Sequence, residues 1–579
     1  MAERGGVRVG FVVLAIVSLA LGIIGFTQLL AAEPGGVVHP LDVIYYSLQL
    51  FTLGAEPLQE GGPYPIAIEI ARFTAPAVTI YALIEAGRLL FAAEVARLKA
   101  RRAKGHVVVI GDGLLAAGLA RRLNAQGHYV ISVSAKHVTW PASARVLQVR
   151  GDGRDPGVLR DAGVARAATV FACTEDSADN VTIALEAAQH RTDHSVYAHV
   201  ADPAMCLAWQ ARHLGTGPGS PVRLDFFNVN DLAARSLWAA EPLKARGDRA
   251  PRLLVLSASA FACAVIVEAA RQWWVQDQAN VDRIQVRLID ATASATAHEL
   301  VRRYPFLPSA VELDPIDHDF ADLVSTERAR RELVELAPDR IFVCHEDEQV
   351  ALTTAVTHDC LWHSGPGSVL VRLDQLASLP KALASARSRE LFDDVTDALR
   401  LFGVVDAAAD PDLIRDDLGE RLARVMHESY LVARRRSAPA AFNADTPTSS
   451  LRALVTWDEL ADHYKRGNRT LAADIGPKLR LIGCVLAPRS GPGAEHVLTP
   501  AEVDQLAEAE HTRWAAERTA AGWRHGAEYD SDDRTNPLLR PWSEMAPDVR
   551  ELNRLVIREL PQVLGTWGFR IVRIGTGAA

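Results

Sequence analysis

The chain has 579 residues, 49% of them hydrophobic and 23% charged, with a formal net charge of −9. That length allows about three to five domains, and the acidic balance excludes a general nucleic-acid binder, which carries a basic domain or stripe. The six cysteines form no CxxC pair, which excludes a disulfide framework and a zinc-ligand spacing; they suit a reducing compartment, as buried small apolar residues.

Val9 to Leu30 contains no charged residue and at 1.5 Å per residue can span a hydrocarbon core of about 30 Å. A signal peptide is the rival reading, since Arg4 and Arg8 precede the run and Ala31-Ala32 follow it, but the run is long for a signal core and a second apolar segment comes soon after. That segment, Pro65 to Ala93, is interrupted by Glu69, Arg72 and Glu85; Glu69 and Arg72 are spaced to pair on one helix face, and Pro76 is a candidate kink. Between Ala31 and Ala71 there is no Lys or Arg, whereas Glu33, Asp42, Glu56, Glu60 and Glu69 are present. Basic residues flank the outer ends of both segments: Arg4, Arg8, and Arg88 through Lys104. The positive-inside rule puts both termini in the cytoplasm and the acidic loop outside, as in a multi-pass protein of the cell (inner or plasma) membrane.

Between the two segments, Leu41 to Phe51 is too short to span but long enough for a re-entrant helix of about three turns. Helix, re-entrant helix, glycine turn, helix is the layout of a two-transmembrane pore, and LDVIYYSLQLFTLGAEP resembles the pore helix and filter of potassium channels. Thr52, Leu53 and Gly54 match the start of the filter; Ala55 stands where its aromatic belongs and Glu56 where its second glycine belongs. The resemblance implies a homotetramer passing monovalent cations through a filter of backbone carbonyls. The departure leaves K⁺ selectivity open and places Glu56 as a possible acidic ring; a pore-like loop that conducts nothing is the alternative.

His106 to Ser134 reads as strand, glycine turn, helix, strand. Gly111, Gly113 and Ala116 fit G-x-G-x-x-G/A, where a tight turn brings amides at a helix N-terminus to a phosphate. Ser134 holds the place of the ribose-binding acid, so NAD is left open while a mononucleotide could still sit on the turn. Val149 to Gln189 then resembles the RCK (TrkA-N) family, through Gly151-Asp152, Asp155-Pro156, Thr174-Glu175-Asp176 and Asn180. The resemblance implies that Asp152, Thr174 and Glu175 line a nucleotide cleft; a purely structural lobe is the alternative. Arg252 to Val356 repeats the rhythm with Ser257, Ser259 and Ala262 in place of the glycines, a second, degenerate lobe. Two lobes per chain would give a tetramer the eight of that family's gating ring.

From about Asp410 the chain repeats itself: WDELADHYKRGNR from Trp457 aligns with WSEMAPDVRELNR from Trp542 at an offset of 85 residues, and LARVMHESY parallels LAEAEHTRW upstream. The second copy resembles the ryanodine-receptor repeat (RyR) domain. His511, Trp514 and Arg518 share a helix face, Trp523 follows a Gly turn and Trp542 follows Pro541. Indoles with Arg and His can stack a base or hold a phosphate, although single tryptophans are more often core.

The expected architecture is multidomain: a helical two-transmembrane pore module (1–100), two Rossmann-like α/β RCK lobes (104–245 and 250–400) and mainly helical tandem RyR repeats (410–490 and 495–575). No nucleophile–base pair, HExxH, Walker loop or zinc spacing is present in the sequence, so neither catalytic residues nor a metal are expected. The reading is a ligand-gated cation channel, of the potassium-channel-like bacterial type, regulated by a nucleotide-like molecule such as an adenine nucleotide or an NAD-like ligand. The alternative is a non-conducting membrane receptor or defence-type effector.

Overall fold

The computed structural model describes residues 2–32, 38–54, 58, 63–136, 140, 145–189, 195–214, 223–247, 249–276, 282–365, 367–374, 398–437, 454–490, 495–530 and 532–574. Ala55 and Glu56 of the expected filter lie outside these residues, as do Glu33 and Glu60 of the acidic loop. The chain divides into two compact units, Met1–Arg102 with His137–Arg150, and Ala103–Lys136 with Gly151–Ala579.

In the first unit, helices Ala2–Ala31 and Ile66–Leu90 flank a short helix, Pro40–Gln49. Within the two long helices, Val9–Ala31 and Ile66–Arg88 are long and apolar enough to cross a membrane. Small residues let them approach closely: a Cβ on Gly25 would lie 2.5 Å from Ile68 Cγ1 and 2.9 Å from its backbone nitrogen. Gly22 is similarly close to Ser47, at 3.1 Å. Phe26, Val43, Leu50, Ile68, Ala71 and Ala75 form the shared core. The third helix runs unbroken through Pro76, and Glu69 pairs with Arg72 at 2.5 Å, as their spacing indicates.

The second unit holds two parallel sheets. The first contains β1 (Val107–Ile110), β2 (Val130–Ser134), β4 (Thr169–Ala172), β5 (Ser195–His199) and β6 (Arg223–Phe227), in the order β2-β1-β4-β5-β6; β3 (Val146–Arg150) belongs to the first unit. The second contains β7 (Arg252–Leu256), β8 (Ile284–Asp290), β9 (Val311–Asp317), β10 (Arg340–Val343), β11 (Val369–Arg372) and β12 (Leu399–Phe402), ordered β12-β11-β10-β7-β8-β9. Counted from its own first strand, the second sheet is the doubly wound 3-2-1-4-5-6 arrangement and the first shares its 2-1-4-5-6 order; the ligand crevice of such a sheet opens where the order reverses, between strands 1 and 4. Central strands such as β1, buried throughout, read as continuous Val/Ile runs because helices cover both faces.

The lobes pack through helix Val229–Ala240. Its Trp238 is fully buried, donates from Nε1 to the Val265 carbonyl at 3.0 Å and meets the Phe342 ring at 5.6 Å. Beyond β12 the chain returns to the first lobe: Arg122 donates to the Asp406 carbonyl at 2.7 Å, and a Cβ on Gly118 would meet the Ala409 methyl at 3.0 Å.

The C-terminal helices reproduce the internal repeat as matched contacts. His427 bonds through Nε2 to the Val455 carbonyl and His511 to the Arg540 carbonyl, both at 2.8 Å, each two residues ahead of a buried tryptophan, Trp457 or Trp542. Arg469 pairs with Glu420 as Arg554 pairs with Asp504. Strand Cys484–Pro488 of one copy pairs antiparallel with Phe569–Arg573 of the other, with Leu486 opposite Ile571. Those two residues are 85 apart, so the copies are related by a local pseudo-twofold through that pair. One core, including Leu422, Trp457, Leu479, Leu506, Leu564 and Phe569, is shared by both copies.

Candidate functional site

The glycine turn of the first lobe lies at the reversal between β1 and β4. Gly111 has φ +147°, and a Cβ there would lie 2.2 Å from the Cys173 carbonyl oxygen, so only glycine lets the turn pass the end of β4. Gly113 caps helix Leu114–Ala125 without a side-chain bond, leaving first-turn amides for a ligand. Ala116 is buried inside that helix, in the packing position of the fingerprint. Glu175 is exposed beside the turn, with Oε1 3.6 Å from where a Gly113 Cβ would stand, so an anion on this turn must displace a carboxylate.

The other expected contacts are tied into protein bonds. Ser134 is buried and donates to the Lys136 carbonyl at 2.7 Å. The Thr174 hydroxyl donates to Asn180 Oδ1 at 2.8 Å and to the Asp176 carbonyl at 3.0 Å. Fully buried Asn180 in turn joins β4 to β5 by donating to the Thr174 and His199 carbonyls. Asp152 accepts from Arg154, whose bonds hold its carboxyl below the usual range, and Arg154 reaches Asp179 at 3.2 Å. Arg154 is a cation on this crevice that the family pattern does not single out; its place in G-D-G-R-D, directly after β3, was the available signal.

In the second lobe Ser257 occupies the turn at φ +79°, a conformation that suits glycine. The acid absent at Ser134 is present here as Asp290 at the end of β8. Its carboxylate accepts from Ala258 N–H at 3.0 Å and from Thr292 N–H and Oγ1 at 2.8 and 2.7 Å. Burial raises its pKa, but these donors outweigh burial and hold it below the usual range. The sequence pattern of absent glycines concealed this acid, whose carboxylate braces the turn.

The RyR residues fall into two adjoining groups. His511 is buried, with Trp514 and Trp542 at ring separations of 5.7 and 5.8 Å. Trp542 belongs to the shared core, while Trp514 is half-buried. Farther along the same helix, Arg518 lies over the Trp523 ring at 5.4 Å and the Tyr464 ring at 5.8 Å, and Trp523 meets Tyr529 at 5.3 Å. Half-buried Arg518 is therefore a cation among aromatic rings drawn from both repeat copies. Tyr464 and Tyr529 are members that sequence spacing did not reveal, because one comes from the other copy and one from an irregular loop.

Thr52, Leu53 and Gly54 form the turn after the short helix of the first unit. Thr52 ends a 3₁₀ turn and donates to the Gln49 carbonyl at 3.0 Å, Leu53 is left-handed at φ +59°, and Gly54 N–H donates to the Gln49 carbonyl at 2.9 Å. Thr79 of the third helix holds the turn by donating to the Phe51 carbonyl at 2.7 Å.

Comparison with known proteins matches residues 107–215 to the TrkA-N domain and residues 499–573 to the RyR domain. Among solved structures, GsuK bound to ADP is 14% identical, with a TM-score of 0.32 over 71% of this chain and 97% of that one. The GsuK channel bound to NAD is 12% identical, with a TM-score of 0.33 over 76% and 86%. A dipicolinate synthase A chain from Bacillus subtilis is 10% identical, with a TM-score of 0.21 over 57% and 98%. The Rossmann-like fold of the two lobes is read from their strand orders. With the sequence matches and the geometry together, the chain carries a TrkA-N domain at 107–215 and a RyR domain at 499–573, in one polypeptide with two helices of membrane-crossing length.

Proposed function

We propose that this protein is a ligand-gated cation channel, potassium-channel-like, in which four copies build a pore through Thr52, Leu53, Gly54, Ala55 and Glu56. Its TrkA-N and RyR domains sense a nucleotide-like small molecule and act as receptors, without catalysis. The observation that carries the reading is the short helix Pro40–Gln49 and its Thr52–Gly54 turn, set between two membrane-length helices in a chain with a TrkA-N domain. Exposed Val12, Ile16, Phe73, Ile80 and Leu83 on the long helices support burial against lipid or neighbouring copies. The basic flanks support a cell-membrane location with both termini cytoplasmic. On the sensing side the candidates are Gly111, Gly113, Asp152 and Glu175 at the first-lobe turn, and Trp514, Arg518 and Trp523 in the RyR domain.

The ligand must bind the open and closed states with different affinity, since equal affinity shifts nothing. Glu56, standing where a filter glycine belongs, favours a second reading: a non-conducting membrane receptor of nucleotide signals. Cation flux into liposomes carrying the purified tetramer separates the two. Ligand-dependent flux is expected; an intact tetramer that passes no K⁺ or Na⁺ with any adenine nucleotide or NAD would sink the channel reading.

A further inference from the structure

Where the second lobe meets the second RyR copy, a cavity of about 550 Å³ opens, within the range of small-molecule sites. The lobe supplies Trp274 and Phe306, whose ring centroids are 6.1 Å apart, and the RyR side supplies Arg489, Arg558 and Gln562. Arg489 pairs with Glu495 on one side, yet its Nε is buried with no acceptor among the described residues. Arg558 is held by Glu551 at 2.5 Å, and no protein partner engages the Gln562 amide among the described residues. The cavity thus offers aromatic faces for stacking, two guanidiniums for an anion, and a free donor–acceptor amide at its mouth.

We propose that this cavity is a binding site for an adenine mononucleotide. A planar base suits Trp274 and Phe306, and a side-chain amide reads adenine through its N6 and N7 edge. The phosphate would meet Arg489 and Arg558. Glu495, lining the same cavity and paired with Arg489, adds negative charge there and so favours a monophosphate over a polyphosphate. The site uses neither the first-lobe glycine turn nor the Trp514 cluster, and it needs no pore, so failure of the channel reading leaves it standing.

Its position gives it leverage. Beside the cavity, the RyR segment Thr566–Gly568 docks on both lobes: Arg271 donates to the Thr566 carbonyl at 3.1 Å, and a Gly568 Cβ would meet Tyr304 at 3.0 Å and Leu207 at 3.2 Å. A ligand bridging this joint would change how tightly the RyR copy is held against the second lobe.

The test is calorimetric titration of AMP into the full chain in detergent micelles. One AMP per chain is expected, with GMP at least tenfold weaker, and with Arg489→Gln and Trp274→Ala each weakening AMP at least tenfold. Ser309, exposed at the rim with its hydroxyl donating to the Phe306 carbonyl at 2.5 Å, gives an independent variant: Ser309→Trp fills the cavity and should abolish binding with the elution volume unchanged. No AMP binding by folded protein, or undiminished binding in both Arg489→Gln and Ser309→Trp, overturns the site. Equal affinity for GMP overturns its assignment to adenine.

Discussion

The two glycines of the first-lobe turn look interchangeable in sequence and differ in what a methyl group would meet. At Gly111 a Cβ would collide with the Cys173 carbonyl at 2.2 Å in a backbone region that L-residues avoid, whereas at Gly113 the neighbour is Glu175 at 3.6 Å. Gly111→Ala is expected to destabilise the lobe by about 2 kcal/mol or more, and Gly113→Ala by less than about 1 kcal/mol. Thermal unfolding of the two variants checks this, and equal melting temperatures would refute the packing account. A second residue-scale prediction concerns pH. Burial, with the Asp417 carboxylate nearby, raises the Asp225 carboxyl well above the usual range, although Leu418 and Phe226 N–H groups donate to it at 2.9 and 2.8 Å. The folded state then holds a proton that the unfolded state releases near pH 4, so this site's contribution falls as pH rises from about 4 toward neutrality. Asp225→Asn should flatten that part of the stability–pH curve; an unchanged slope would assign it to other groups.

At the scale of elements, the joint between the RyR domain and the lobes is concentrated on one ring. Trp567 lies between the guanidiniums of Arg271, at 4.2 Å, and Arg421, at 4.6 Å, and belongs to the core shared by the repeat copies. Trp567→Leu loses ring volume and both cation–π contacts, at an expected cost of about 3 kcal/mol. Melting temperature measures it, and combining the change with Arg271→Ala should cost less than the sum, because the two residues act as a pair. Strict additivity would mean that they do not. The helices around this joint were legible in the sequence through their repeat, and the structure adds a capping box of Thr499 and Glu502 at the start of Pro500–Ala520. The joint itself was not, since Trp567, Arg271 and Arg421 share no periodicity and meet only when three separate helical segments pack. Tyr464 beside Arg518 is hidden for the same reason.

Across the whole molecule, a ligand-gated channel needs a membrane pore and a ligand-sensing body in one chain, and the two can be perturbed separately. Glu56→Gln should alter single-channel conductance or divalent block if the carboxylate lines the pore; an unchanged current would remove it from the permeation path. Trp514→Ala should abolish the response to ligand while assembly persists, and a normal response would move the sensor elsewhere. The sequence by itself determined what depends on neighbours along the chain: two apolar runs of spanning length, the glycine turn after β1, the strand–helix alternation and the 85-residue repeat. Tertiary structure decided what depends on distant residues meeting. It made Gly111 indispensable through the Cys173 carbonyl, turned Asp290 into a brace for the degenerate turn, paired Leu486 with Ile571 across a pseudo-twofold, and opened a cavity between Trp274 and Arg489. Hydrogen-bond partners and cavity walls are assembled across hundreds of residues, and local patterning carries no record of which surfaces will face each other.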